Sequence, residues 1–227
     1  MKLLKKYADN SLADSPAARL RRKRFLVFRR LLSSVPRPLK VLDIGGTVLF
    51  WQMMDFAGED GLEITILNIQ PGELSAMPPV QGRTRFVPCV GDARAMPEFR
   101  DGEFDVVFSN SVIEHVGDIA DQRRMMSEVR RVGKRYFVQT PNYFWLIEPH
   151  FLFPGFQFLP RKAQVFLLRH FELGWAGKIV DRAAAEAVAG SVRLLRESEL
   201  RELCPEAEFY HEKLFGFTKS FVVYAGW

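Results

Sequence analysis

Five short apolar runs between residues 39 and 140 constrain the fold more than any other feature of this chain. Most of them lack strict polar alternation, a pattern typical of strands that are buried on both faces of a parallel sheet. A helical stretch, Asp118–Val132, separates the fourth run from the fifth. Strands that alternate with helices predict right-handed βαβ units and a doubly wound sheet. The runs are Leu39–Ile44, Glu63–Ile69, Thr84–Val90, Phe104–Ser109 and Lys134–Thr140.

The end of the chain predicts a different strand arrangement. Glu208–Leu214 and Thr218–Ala225 flank Gly216 and read as two strands with a tight connection. We therefore predict an α/β fold, with a Rossmann-like, doubly wound, mostly parallel seven-stranded sheet and a C-terminal antiparallel hairpin. Further helices are predicted at 17–33, Arg161–His170, 177–189 and Glu199–Leu203.

Charge and composition divide the chain into unequal parts. Residues 1–40 hold 12 Lys/Arg and two acids, a net charge of +10, whereas the remainder carries 20 Lys/Arg against 25 Asp/Glu, a net charge of −5. We predict a basic N-terminal helical segment over residues 1–37 and a catalytic domain over 38–227. Within that domain, residues 141–190 form a substrate-side lid, because 141–160 are rich in aromatic residues and proline without helical spacing.

The confined positive charge argues against a general nucleic-acid surface. It is compatible with a peripheral contact between the basic helix and anionic lipid, with Phe25 and Phe28 as anchors, although a solvated arginine face over packed apolar residues is the simpler interpretation. Cys89 and Cys204 have no disulfide or zinc-type spacing, and no secretory h-region or long apolar run is present. These features predict a cytoplasmic protein; the oligomeric state is left open.

Polar residues follow successive predicted strands. Asp43, Gly45 and Gly46 lie in the first βα turn, where glycine lets the backbone approach a ligand. Asn68, Asp92 and Asn110 come at the ends of the second, third and fourth strands. In doubly wound sheets ligands bind outside the carboxyl ends of the strands, so this register predicts a small-molecule site at that edge. Each residue alone could simply be a turn former.

Three segments resemble the class I S-adenosylmethionine-dependent methyltransferases, in particular the small bacterial branch related to quinone-biosynthesis O-methyltransferases. The segments are VLDIGGT, VGDARAMP and FDVVFSNSVIEHV, and the resemblance covers about residues 38–140 and 192–225. It implies S-adenosylmethionine as cofactor. Asp43, Gly45 and Gly46 would surround its methionine part, Asn68 its ribose, Asp92 and Ala93 its adenine, and Asn110 would border the methyl group.

The chain departs from the family pattern at three positions. Thr47 and Leu49 occupy later glycine positions of the D-x-G-x-G-x-G turn, and the neutral Asn68 replaces the usual ribose-binding acid. These departures keep a cofactor-binding but inactive partner protein open as an alternative. The absence of G-x-G-x-x-G at Gly45 disfavours a nicotinamide dehydrogenase.

Candidate proton-transfer residues lie near the predicted methyl position. His115 follows the fourth strand, and Glu148 and His150 follow the fifth, on either side of Pro149. One histidine is predicted to act as base, while Glu148 orients the acceptor or the imidazole. The quinone branch has a related E-x-x-E-H pattern that resembles a metal site, but Ser111 stands at its first acid, so we predict no metal.

These observations predict a methyltransferase that acts on a small apolar or aromatic hydroxyl acceptor. The alternatives are N-methylation of a small amine and the inactive partner protein. Methylation of nucleic acid is disfavoured, because no N-P-P-Y-like tetrapeptide occurs near Asn110. The identity of the acceptor and the pathway stay open.

Overall fold

The computed structural model describes residues 15–56, 58–72 and 83–227. Within these ranges, seven strands form one sheet in the order β3-β2-β1-β4-β5-β9-β8, and two short strands form a separate hairpin, β6-β7. The strands are β1 (Leu39–Ile44), β2 (Leu62–Asn68), β3 (Arg85–Val90), β4 (Val106–Asn110), β5 (Tyr136–Pro141), β6 (Ile147–Glu148), β7 (Phe153–Pro154), β8 (Glu208–Leu214) and β9 (Phe217–Ala225).

Strands β1 to β5 run parallel, while β9 pairs antiparallel with both β5 and β8. The predicted Rossmann-like sheet with its C-terminal antiparallel hairpin is therefore confirmed. The carboxyl ends of the five parallel strands share one edge of the sheet, which we call the carboxyl edge. The strand order reverses between β1 and β4, the position where doubly wound folds bind ligands.

Helices cover both faces of the sheet. They are α1 (Pro16–Leu32), α2 (Val48–Met53), α3 (Ile119–Val132), α4 (Arg161–His170), α5 (Arg182–Gly190) and α6 (Glu197–Leu203), with 3-10 turns η1 (Ile113–His115) and η2 (Phe156–Phe158). The helix predicted at 177–189 begins later, because the Asp181 side chain accepts from the Ala184 N–H and caps α5. Ile179, before that cap, instead bonds to the Leu168 carbonyl of α4.

The two faces have separate apolar cores. Met125, Met126 and Val129 of α3, with Leu200 of α6, pack against one face of the sheet. Helices α1 and α2 pack against the other face through the buried side chains Phe25, Phe28, Leu32, Val48 and Trp51. A third cluster, which includes Phe151, Phe156, Val165 and Leu168, lies inside the predicted lid. The lid therefore has its own small core.

The burial of α1 corrects one sequence-based expectation. Phe25 and Phe28 are only 5% and 0% exposed, so neither side chain can anchor the helix in lipid. A lipid contact, which stays a prediction, would depend on exposed cations of α1: Arg19, Arg22, Lys23 and Arg30. No helix in the described ranges is long and apolar enough to cross a membrane.

The boundary between residues 37 and 38 also stays a prediction. Residues 1–14 of the predicted N-terminal segment lie outside the described residues. The described part, α1, shares its apolar core with the sheet.

Candidate active site

The turn between β1 and α2 brings its backbone very close to a carboxylate. Gly45 has a φ of +69° and donates its N–H to the Leu67 carbonyl at 2.8 Å. A Cβ atom on Gly46 would overlap the Asp43 carboxylate. Glycine is thus required at 46 for space, and it is favoured at 45 for its backbone conformation.

Asp43 is fully buried beneath this turn. Its Oδ2 accepts a hydrogen bond of 2.6 Å from the Trp51 indole N–H of α2. Burial raises the pKa of Asp43 to about 8, and the Trp51 hydrogen bond opposes that rise only in part. A cation near this carboxylate, such as a ligand's ammonium group, would favour its ionised form.

Asn68, at the end of β2, is buried and points back to the same turn. Its side-chain amide donates to the Gly46 carbonyl at 3.0 Å. This bond fixes the turn from the neighbouring strand. It also orients the Asn68 side-chain amide. The amide nitrogen is used in this bond, so the side-chain oxygen is the atom that can accept from a ribose hydroxyl.

Asp92 follows β3 and is half-exposed, and Ala93 beside it is buried. The Arg94 guanidinium donates to both oxygens of Asp92, from Nε to Oδ1 at 3.0 Å and from Nη2 to Oδ2 at 2.6 Å. These bonds hold the pKa of Asp92 below its usual value. An adenine amine would therefore share an ionised carboxylate with Arg94.

Asn110 is the last residue of β4, and it accepts a hydrogen bond from helix α1. Arg24 of α1 donates from Nη2 to Asn110 Oδ1 at 2.7 Å and from Nη1 to Glu212 Oε1 at 2.9 Å. Helix α1 therefore reaches the carboxyl edge. Sequence reasoning gave Arg24 no role, because the contact joins residues 86 positions apart.

The turn η1 places a carboxylate and an imidazole side by side. Glu114 is fully buried; its Oε2 accepts from Thr140 Oγ1 at 3.0 Å, and its Oε1 has no hydrogen-bond partner among the described residues. Burial raises the pKa of Glu114 to about 7. Burial and the nearby charge of His150 lower the pKa of His115.

Glu148 and His150 form a tight pair at the start of the lid. Glu148 Oε1 lies 2.6 Å from His150 Nδ1, and Glu148 Oε2 accepts the backbone N–H groups of His150 and Phe151, each at 2.7 Å. Burial disfavours the imidazolium, but Glu148 outweighs that effect and raises the pKa of His150. The pair leaves Nε2 as the ring nitrogen that can meet a substrate.

The turn η1 and the start of the lid lie together, and they bring His115, Glu148 and His150 close to one another, as the sequence predicts. The rings of His115 and His150 are perpendicular, with centroids 4.7 Å apart. Glu114, His115 and His150 each present a ligand atom within 4.8 Å of the others, so this group could hold a metal ion. Sequence reasoning omitted Glu114 as a site residue, although its adjacency to His115 was a usable signal.

A cavity of about 410 Å³ adjoins this cluster, with Glu148 in its wall. It lies between the lid and the chain before α6. Its wall combines aromatic rings with guanidinium groups, from Tyr143, Phe151, Phe156, Arg161, Arg193 and Arg196. This volume and lining suit a small aromatic molecule with polar substituents.

A second cavity, of about 600 Å³, lies at the opposite edge of the sheet. Its wall includes four charged residues within two positions of the starts of their strands: Lys40, Glu63, Arg85 and Lys134. Ligands of doubly wound sheets bind at the other edge, so we do not assign this cavity to the donor.

Comparison with known proteins matches part of the chain to a methyltransferase domain. Residues 42–136 match the family described as "Methyltransferase domain". Two uncharacterised proteins of Mycobacterium tuberculosis, MT1557 and Rv1509, are each 31% identical over 135 residues, which is 55% of this chain. The chain spans 43% of the length of each of these relatives.

Solved structures share the fold at low identity. An S-adenosylmethionine-dependent methyltransferase from Methanosarcina mazei is 17% identical, with a TM-score of 0.51 over 86% of this chain and 94% of its own. Phosphoethanolamine N-methyltransferase 2 from Haemonchus contortus, solved with S-adenosyl-L-methionine, is 15% identical, with a TM-score of 0.50 over 83% of this chain and 38% of its own.

The relation to the quinone O-methyltransferases stays a prediction, as do the roles of the individual site residues. The domain match over residues 42–136 agrees with the family, the enzyme class and the cofactor that the sequence predicts, and the shared fold confirms the predicted architecture. Residues 42–136 match the methyltransferase domain family, and the chain shares the fold of solved S-adenosylmethionine-dependent methyltransferases.

Proposed function

We propose that this chain transfers a methyl group from S-adenosylmethionine to a hydroxyl group of a small aromatic or apolar acceptor. The observation that carries the proposal is the convergence of Glu148, His150 and His115 at the carboxyl edge. His115 lies five residues after Asn110 in the chain. A hydroxyl acceptor must lose its proton as the methyl group arrives, and a positioned imidazole can accept that proton.

His150 is the base in this proposal. The Glu148 carboxylate orients the ring through Nδ1 and increases the basicity of Nε2. His115, whose pKa is lowered, is the neutral neighbour that can hydrogen-bond the acceptor oxygen. Glu114, beneath them, bonds to Thr140 and is the nearest further proton acceptor.

Of the two acceptor types, the cavity beside Glu148 favours an aromatic one. Rings from Tyr143, Phe151 and Phe156 can stack on a planar molecule, and the arginines can bind its polar substituents. Methyl transfer is an in-line displacement, so the remaining task of this wall is to align the acceptor and to exclude water.

The test is methyl transfer from methyl-labelled S-adenosylmethionine by the full chain, with a panel of phenols, aliphatic alcohols and matched amines. We expect labelled phenol methyl ethers, formed together with S-adenosylhomocysteine. Labelled amines without labelled ethers would replace the proposal with N-methylation. Cofactor binding with no transfer to any member would favour the inactive partner protein.

A further inference from the structure

A cluster of charged and polar side chains lies near the carboxyl edge, where α1 packs beside β8 and β9. It contains Arg21 and Arg24 of α1, Lys219 and Ser220 of β9, and Glu212 of β8. Arg24 bonds to Glu212 Oε1, while Ser220 Oγ donates to Glu212 Oε2 at 2.8 Å. Lys219 Nζ lies 3.9 Å from the same oxygen. Arg24 and Lys219 therefore share the Glu212 carboxylate, and Arg21 is near enough for its charge to interact with both Arg24 and Glu212.

The surplus of positive charge is sheltered from water. Arg24 and Glu212 are buried, and Lys219 is largely so. Burial and the nearby charge of Arg24 lower the pKa of Arg21 to about 10. Burial, together with the charges of Arg24 and Arg21, likewise lowers the pKa of Lys219. Holding such charges together out of water is unfavourable unless an anion joins them.

Arg21 is the member of this cluster that has an unused hydrogen-bond donor. Its Nε is buried and has no hydrogen-bond partner among the described residues. Its guanidinium lies 5.9 Å from the ring centroid of Phe50, in the helix that follows the Gly45–Gly46 turn. Arg24 connects the same cluster to Asn110. The surplus charge thus faces the region between the donor turn and the end of β4.

We propose that Arg21, Arg24 and Lys219 form a binding site for a carboxylate of one of the two substrates. Guanidinium groups match carboxylates in geometry and charge. Two sources supply this chemistry: the methionine carboxylate of the donor, or a carboxylate on the acceptor. The inference rests on the proposed function, since it assumes that methyl transfer takes place beside Asn110.

The test measures binding by calorimetry, so a failure of hydroxyl methylation alone would not decide it. Wild type and Arg21→Gln are titrated with S-adenosylhomocysteine and with 5′-methylthioadenosine, which lacks the carboxylate. Benzoate is then titrated into each protein saturated with S-adenosylhomocysteine. Arg22→Gln, an exposed arginine on the same helix, is the matched control, and Arg21→Lys tests retention of charge. Thermal melting verifies that each variant folds.

If the donor supplies the carboxylate, Arg21→Gln weakens S-adenosylhomocysteine about 10- to 100-fold, the range for a charged hydrogen bond, and leaves methylthioadenosine unchanged. If the acceptor supplies it, S-adenosylhomocysteine affinity is unchanged and benzoate binding is lost. Arg21→Lys should keep part of either affinity. The proposal is overturned if Arg21→Gln alters neither ligand, or if it weakens methylthioadenosine as much as S-adenosylhomocysteine.

Discussion

The donor half of the carboxyl edge, at the ends of β1 to β3, holds its polar side chains differently from the other half, at η1, the lid and α1. We call this other half the acceptor half, and its α1 cluster is the proposed site for a carboxylate of either substrate. In the donor half, Asp43 is bonded to Trp51, Asn68 to the Gly46 carbonyl, and Asp92 to Arg94. In the acceptor half, Glu114 Oε1 and Arg21 Nε are buried without hydrogen-bond partners among the described residues.

The polar groups of the donor half are already hydrogen-bonded within the protein, whereas two buried groups of the acceptor half are available to bind a ligand. A donor must share hydrogen bonds that the free protein already makes, so individual donor-side substitutions should have moderate effects. The acceptor half combines unpaired buried groups with coupled titratable ones, and there a single side chain can control the reaction. Four predictions follow from the contrast.

The largest effect is expected in the acceptor half, for His150→Gln. Loss of a general base typically lowers turnover by about 10²–10⁴-fold. Affinity for S-adenosylhomocysteine should stay near wild type, because His150 touches no predicted donor residue. The measurement is turnover on an acceptor found with the labelled donor. His170→Gln, an exposed histidine of α4, is the control. Equal rates for both variants would show that alignment alone drives the reaction.

Gly46→Ala tests how tightly the donor half is built. The new Cβ would overlap the Asp43 carboxylate, so the turn or β1 must shift. We expect a loss of about 1–3 kcal/mol in the free energy of unfolding, the usual cost of overpacking, together with weaker donor binding. Urea denaturation measures the first effect and calorimetry the second. Gly177→Ala, where a Cβ meets no atom within 4 Å, should be nearly neutral; equal losses in both variants would refute the steric explanation.

Asp92→Ala tests the adenine end of the donor half. If Asp92 accepts from adenine while it also binds Arg94, its removal should weaken S-adenosylhomocysteine by about 1–3 kcal/mol. Asp101→Ala removes another aspartate that is paired with an arginine, Arg131, far from the predicted donor residues, and should leave the affinity unchanged. Calorimetry that showed identical affinities for wild type and Asp92→Ala would remove Asp92 from the donor site.

Asp43 is tested through the change in stability per pH unit, which is the smallest increment among these predictions. Its folded-state pKa of about 8 lies above an unfolded value of about 3.9, so the folded protein holds the extra proton between these values. The resulting stability is full below about pH 4 and is lost as the pH rises towards 8, with a slope of at most about 1.4 kcal/mol per pH unit.

Asp43→Asn cannot ionise and retains an oxygen that can accept from Trp51. Its free energy of unfolding, measured in urea between pH 5 and 8, should therefore fall less with rising pH than that of wild type. Asp101→Asn, largely exposed, should follow the wild-type curve. Curves that stay parallel for wild type and Asp43→Asn would contradict the raised pKa.

The two halves also differed in how far the sequence could predict them. The strands, the hairpin and the donor turns follow from local patterns, because buried parallel strands and turn residues leave short-range signals. Strand β1 matches its predicted bounds, and the other parallel strands differ from theirs by at most two residues at either end.

The acceptor half depends on contacts between distant parts of the chain. Arg24 meets Glu212 across 188 residues, and the surplus charge around Arg21 exists only once α1 packs beside β8 and β9. The sequence predicted that Glu148 and His150 act together, because they lie two positions apart. It could not show that Glu114 would be buried beside them, since its partner Thr140 lies on β5, 26 residues away.

The central claim is that donor and acceptor halves meet beside Asn110, and a crystal structure of the full chain with S-adenosylhomocysteine tests it most directly. We predict the homocysteine part along Gly45–Gly46, the adenine near Asp92 and Ala93, and the sulfur next to Asn110, with its open side towards His150 and His115. The claim would be contradicted by the ligand in the cavity at the opposite edge of the sheet, or by a sulfur facing away from the histidines.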